Sequence, residues 1–313
     1  MIVLTETASA SDPTRSDLTV RPLRHHGRWV FASVVLLLSI AIARSLLSNP
    51  NMDWPTVRQY LFASVTLQGV VVTLYLAALA MVIGVVGGIL MAVMRLSDNF
   101  ALSGLSRLFI WFFRGTPVLV QIIFWGYLGA LYPTLSIGIP FTDITFLSGR
   151  TSDVITAFLA ATLALGLNEV AYAAEIVRGG ISSIDRGQSE AAYSLGLTPA
   201  ATTRRIVLPQ AMRVIVPPMG NEVITMLKTT ALVSVIAGQD LLTNLQRIYS
   251  QNYKVIPLLV VASLWYLALT SLLSIPQAWL ERRYGRGHSG RLDRSVLTRL
   301  LAIRRPTRDV EPA

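Results

Sequence analysis

The chain has 313 residues, 53% hydrophobic and only 14% charged, whereas an ordinary soluble domain is about a quarter charged. It has no cysteine, which excludes disulfides and thiolate metal sites, and only three histidines, two of them adjacent at His25-His26, which argues against a histidine-built metal centre. The net charge is +10, almost all of the positive charge being arginine, but no basic face with interleaved aromatics appears, so the charge reads as membrane topology and not as nucleic-acid binding.

Residues Met1–Thr19 are polar, and the first apolar run starts near Val30 without a convincing small-residue cleavage site after it. It is expected to remain as an uncleaved span. A spanning helix needs about 20 apolar residues to cross a core roughly 30 Å thick. Six stretches qualify: 30–47, 61–94, 105–131, 154–177, 211–237 and 256–279, the fifth being the most polar.

The second span carries Gly84 and Gly87-Gly88, small residues that allow close helix approach. The third opens on Arg114-Gly115-Thr116-Pro117 and carries Gln121; Pro117 lacks a donor and interrupts the helical ladder. Arg114 either holds a helix end or the polar loop discussed below, or simply snorkels to the interface. The loop 132–153 is rich in Pro, Gly, Ser and Thr. The fourth span carries Asn168, Glu169, Tyr172 and Glu175, a polar stripe with one-turn spacing. Ionisable groups inside a span are costly and usually face a cavity or a partner. Glu175 and Arg178 have the spacing of a structural ion pair.

After the fourth span the chain turns polar yet stays regular. Gln188–Leu195 reads as a short helix, with Gly196 as its left-handed stop and Leu197 covering the last turn. Thr198 reads as the N-cap of a second short helix with Pro199 at its first position. That helix is expected to end at Arg204-Arg205, with Pro209 closing the unit. In the fifth span, Pro217-Pro218 and Gly220 are expected to break the helix early, ahead of Asn221, Glu222, Thr225, Lys228, Thr229 and Thr230.

Arginines cluster before the first span, between the second and third, around the polar loop and in the tail from Arg282 onward. The opposite face has only Arg58, Arg150, Arg247 and Lys254 in its loops. The imbalance places both termini, and the polar loop, in the cytoplasm. No catalytic site emerges. The only lysines, Lys228 and Lys254, do not follow glycine, so there is no phosphate-binding P-loop. No histidine lies within a span, and the spans lack an aspartate pair.

The ordered set Glu190-Ala191-Ala192, Gly196, Ile206 and Leu208-Pro209 resembles the "EAA" loop of ABC import permeases. With 171–180, the Leu208–Arg213 and Pro217-Pro218 words, and 227–236, the chain is similar to the polar amino-acid permeases of the histidine, glutamine, arginine and opine type, over roughly Tyr60 to Trp279. The resemblance implies an all-α polytopic type I importer domain over 60–280, with a coupling loop at 183–210. It leaves a cytoplasmic segment 1–29, an extra spanning helix 30–47, and a basic cytoplasmic tail 281–313. It implies a bacterial inner-membrane permease that translocates polar amino acids or opine-like derivatives and binds no cofactor itself, ATP and Mg²⁺ belonging to a partner ATPase dimer. Gly187, Glu190, Ala191, Ala192, Gly196, Leu208 and Pro209 are the expected coupling residues. An exterior or periplasmic solute-binding protein, a second permease copy or homologue, and the lipid bilayer are the other expected partners.

For the substrate pathway the candidates are Asn168, Glu169, Tyr172, Asn221, Lys228, Thr229 and Gln121. Glu169 offers an acceptor for an ammonium or a cationic side chain; the competing reading pairs it with Lys228. An ion-coupled carrier also uses broken helices and midplane charges, but it predicts internal inverted repeats, which are not evident, and has no reason to keep the EAA word.

Overall fold

The computed structural model describes residues 26–138 and 145–285. The expectations for the amino-terminal segment, the tip of the 132–153 loop and most of the basic tail concern residues outside that range. Two compact units divide at Met52. In the first, α1 (His26–Leu47) is apolar on every side, as a helix facing lipid must be. Its end is closed by Ser48, whose N–H and hydroxyl both donate to the Arg44 carbonyl at 3.0 and 2.7 Å.

The second unit runs through α2 (Trp54–Leu61), α3 (Ser64–Arg95), α4 (Phe100–Gly115), α5 (Val118–Gly126) and α6 (Leu128–Leu131). An antiparallel hairpin of β1 (Thr134–Gly138) and β2 (Thr145–Arg150) follows, then α7 (Thr151–Val154) and α8 (Ala157–Ser182). The polar loop holds α9 (Arg186–Ser194) and α10 (Pro199–Thr202). The chain ends in α11 (Leu208–Thr229), α12 (Leu241–Asn252) and α13 (Val255–Tyr284).

Among the described residues four helices, α1, α3, α8 and α13, are long and apolar enough to cross a membrane, and the bent pair α4–α5 makes a fifth candidate. Two expectations need correction. The third span is not one helix: α4 and α5 meet at 97°. Thr116, the residue before Pro117, is extended at φ −104°, ψ 139°, as a pre-proline residue prefers. The missing Pro117 N–H orphans the carbonyl four residues back, that of Phe113. That carbonyl instead accepts from the Gln121 amide at 3.0 Å and the Asn168 amide at 2.9 Å. Gln121 also donates to the Thr116 hydroxyl at 2.8 Å, so it fastens the bend.

The second correction is that α11 does not break at Pro217-Pro218 but runs on to Thr229. Gln277 of α13 lies against it, donating to the Pro217 carbonyl at 2.9 Å. A Cβ at Gly220 would overlap the Gln277 Oε1, so glycine makes room for that side chain. Helix α11 is less apolar than these because it carries Arg213, Asn221, Glu222, Thr225, Lys228 and Thr229, of which Glu222, Thr225 and Thr229 line the cleft described below.

Helices α3 and α8 share the most extensive helix–helix contact among the described residues. A Cβ added at Gly88 would sit 2.5 Å from Ala173 Cβ and 3.0 Å from Ala174 N, and one at Gly166 2.9 Å from Ile83 Cγ2. Helix α12 falls in what the sequence suggested was loop. Asp240 caps it, accepting from Leu242 N–H at 3.0 Å and bonded to the Thr243 hydroxyl. Its start docks on α3, where the Thr73 hydroxyl accepts from Leu241 N–H at 3.1 Å. On α2, Asp53 binds Lys254 at 2.7 Å and the Thr56 hydroxyl at 2.7 Å. The Lys254 ammonium, with Thr56, holds the Asp53 carboxyl below its usual range.

Gly88→Ala is expected to lose roughly 1–3 kcal/mol by overpacking against the α8 backbone. Gly104→Ala, where a Cβ meets nothing within 4 Å, should gain up to about 1 kcal/mol from helix propensity. Thermal unfolding in detergent compares the two. Gln121→Met, which strips the bend of its fastening, should cost roughly 1–3 kcal/mol in the same assay.

Candidate functional site

Two helices present matching stripes to a common cleft of about 500 Å³. From α8 come Leu165, Asn168, Glu169 and Tyr172, spaced i, i+3, i+4, i+7. From α11 come Glu222, Thr225, Met226 and Thr229, with the same spacing. The α4–α5 bend closes a third side with Arg114 through Val118. This volume lies within the roughly 300–1,000 Å³ typical of small-molecule sites.

Glu169 is the cleft's most confined charge. It is 3% exposed, and its Oε1 has no hydrogen-bond partner among the described residues. Gly84 of α3 makes room for it: a Cβ there would overlap the Glu169 Cγ. The stem of the glutamate therefore packs directly on α3 at that glycine. The Arg114 guanidinium lies 5.2 Å from the centre of the Tyr172 ring, a cation–π arrangement at the cleft wall. Asn168 reaches across to the bend, so its amide donor is engaged by Phe113 and its role is partly to hold α8 to α4.

Of the sequence-derived pathway residues, Asn168, Glu169, Tyr172 and Thr229 line the cleft together. Gln121 is buried behind the bend, and Asn221 and Lys228 lie roughly 100° round α11 from the cleft stripe. Lys228 is exposed and makes no ion pair with Glu169; among the described residues the ion pairs are Arg178–Glu175 at 2.8 Å and Lys254–Asp53. The first of these matches the structural pair expected from spacing. Arg114, Glu222 and Thr225 belong to the cleft and were not picked out as pathway residues. The repeated stripe phase on 222, 225, 226 and 229 is the signal that finds two of them. Arg114 needs the 97° bend, which turns the end of α4 inward instead of toward the polar loop.

In the polar loop, Asp185 caps α9 by accepting from Gly187 N–H at 2.7 Å. Gly196, at φ +79°, ends it, and Leu197 N–H returns to the Ala192 carbonyl at 3.1 Å, a Schellman closure. Thr198 caps α10, accepting from Ala201 N–H at 3.3 Å. Here too the outcome differs from expectation. Residues 203–207 form a π-helical turn that runs directly into α11, so Pro209 sits in the first turn of a continuing helix and closes nothing. Ala192 is buried, while Glu190, Ala191, Leu195 and Leu208 are exposed, Leu195 at 84%.

Comparison with known proteins agrees with this architecture. Residues 84–286 match the family model described as the binding-protein-dependent transport system inner membrane component. The chain is 41% identical over 300 residues to the arginine transport system permease protein ArgU of Corynebacterium glutamicum, covering 96% of this chain and 92% of that one. It is 36% identical over 219 residues to the nopaline transport system permease protein NocM of Agrobacterium fabrum, covering 69% and 87%. A crystal structure of an amino acid ABC transporter with histidines aligns with a TM-score of 0.58 at 36% identity, over 70% of this chain and 94% of that one. The MetNI methionine ABC transporter, at 20% identity and TM-score 0.51, shares the fold. Nothing among these matches favours an ion-coupled carrier. The chain belongs to the binding-protein-dependent inner-membrane permeases of amino-acid ABC transporters: it is a multi-pass bacterial inner-membrane subunit, and ATP hydrolysis lies with a separate ATPase.

Proposed function

We propose that this permease carries polar α-amino acids through the cleft between α8, α11 and the α4–α5 bend. The observation that carries the reading is Glu169, buried beside the cleft with an oxygen that no described residue satisfies. An uncompensated buried carboxylate is costly and invites a cationic ligand. The substrate ammonium binds there, and Arg114, braced on Tyr172, receives the substrate carboxylate. The names of similar permeases (arginine, cystine, glutamine, nopaline) support an amino-acid or opine-like substrate but differ in the side chain.

A second copy or homologue supplies the other half of the pathway, and a binding protein delivers substrate on the face bearing the β1–β2 hairpin. Both termini lie in the cytoplasm, with 1–29 and 281–313 flanking the extra span 30–47 and the permease domain 60–280. An ATPase dimer, with its ATP and Mg²⁺, grips the loop 183–210 through Gly187, Glu190, Ala191, Ala192, Gly196, Leu208 and Pro209. Support comes from the capped, cornered shape of that loop and from its continuity with α11. Over about 20 Å of helix, loop motion reaches Glu222 in the cleft without a flexible joint. Gln121, Asn221 and Lys228 act from outside the cleft, Gln121 by holding the bend.

Glu190→Lys should abolish ATP-driven uptake in cells while membrane insertion is retained; unchanged uptake would remove the coupling assignment. Glu169→Gln should weaken amino-acid binding to the permease–ATPase complex about 10- to 100-fold. Binding isotherms that match the parent across a panel of amino acids would remove the pocket assignment.

A further inference from the structure

Past the cleft, at the end of α11 away from the polar loop, the chain builds a second polar recess. From Thr229, which lines the cleft, the backbone runs on as a 3₁₀ helix, Thr230–Ile236. This helix is wedged against α5, where a Cβ at Gly126 would overlap Ile236. Ser234 is reached about 10 Å further along, at a rise of about 2 Å per residue. There the 3₁₀ helix and one face of α12 enclose a groove of about 360 Å³, whose polar lining is Ser234, Gln246, Arg247, Ser250 and Gln251. The Ser250 hydroxyl donates to the Gln246 carbonyl at 2.7 Å. The side chains of Ser234, Gln246, Arg247 and Gln251 have no partner among the described residues. Unlike the cleft, the groove has no carboxylate in its wall: Asp240, bonded to the lining residue Thr243, also accepts from Leu242 N–H and stays outside the lining. At the rim, Ala237 is left-handed at φ 57°, a conformation that is costly for a residue with a side chain and recurs at functional sites. An exposed, unpaired guanidinium among amides and hydroxyls cannot face hydrocarbon, so the groove opens to water.

We propose that this groove is a second, outer binding site for free α-amino acids, in which Arg247 takes the carboxylate before the cleft does. The guanidinium offers the two-pronged contact that a carboxylate fits. The amide oxygens of Gln246 and Gln251 accept from the ammonium. A recess of this volume suits a small molecule. Because its wall lacks a carboxylate, the ammonium meets neutral oxygens alone, so the groove holds its ligand more weakly than Glu169 and Arg114 do. That order of strength favours movement inward. The inference rests on the substrate cleft proposed above for its direction, while the chemistry of the groove is its own.

The test is equilibrium binding of labelled L-glutamine and labelled L-arginine to the permease–ATPase complex in lipid nanodiscs, without any binding protein. The parent should show two components per permease copy. Arg247→Gln should weaken the lower-affinity component roughly 10- to 100-fold and spare the tighter one, whereas Arg247→Lys, which keeps the charge, should largely restore it. Glu169→Gln should do the reverse, weakening the tighter component alone. The amide of each amino acid, which lacks the carboxylate, should fail to compete for the lower-affinity component. Arg247 is exposed, so its replacement leaves the fold intact. A single component in the parent that Arg247→Gln does not change overturns the inference and leaves the cleft standing. So does persistence of both components in Arg247→Gln, or equal competition by the amide. A single component lost in Arg247→Gln but kept in Glu169→Gln supports the groove and overturns the cleft. Failure of the parent to bind either amino acid overturns both.

Discussion

The close approach of α3 and α8 is the constraint on which the site depends. Glycines at 84 and 88 in α3 let the α8 backbone come within contact distance, and Gly166 returns the favour against Ile83. In a bilayer there is no hydrophobic force between helices, so close packing of this kind supplies much of the attraction. It has a chemical consequence. Gly84 leaves the space in which the Glu169 stem lies against α3 beside the cleft, with one oxygen that no described residue satisfies. The cost of that buried carboxylate is carried by the packing around it.

The second feature is how the chain disposes of its broken helix. Pro117 deprives the Phe113 carbonyl of its ladder partner, and an orphaned carbonyl at membrane depth is not tolerated. Gln121 answers from within the same broken span and Asn168 from α8. One defect thereby ties three helices together and aims Arg114 at the cleft. On the other side, the paired prolines of α11 leave the helix intact, and Gln277 binds alongside in the space that Gly220 opens. The same sequence signal, proline within an apolar helix, gives a right-angle bend in one place and a continuous helix in the other. Local context decides which: Gly115 and an extended Thr116 precede the bend, whereas α11 is supported by α13 along its length.

The second half of the polar loop and one wall of the cleft belong to one continuous helix. Residues 199–229 are helical throughout, with a π turn where sequence rules suggested a stop. A π turn accommodates an extra residue in the helix without ending it. The loop is therefore joined to Glu222 by backbone hydrogen bonds and not by a linker. Its own corner is set by local chemistry: Asp185 and Thr198 as caps, and Gly196 in the left-handed region.

Much of this was legible in the residues alone. Apolar run lengths determine the helical membrane class, because each spanning segment must satisfy its own backbone. The caps and the glycine stop of the polar loop are local rules, and Asp185 apart they were read correctly. The one-turn spacing of Asn168, Glu169 and Tyr172 placed them on a single face. Tertiary structure alone decided that Arg114 turns inward, that Lys228 turns away from Glu169, that α11 survives its prolines, and that α12 is a helix capped by Asp240. These outcomes depend on which partner fills a neighbouring space or satisfies a freed carbonyl. That information resides in pairs of residues far apart in the chain, such as Phe113 with Asn168 and Gly84 with Glu169, and no local pattern encodes it.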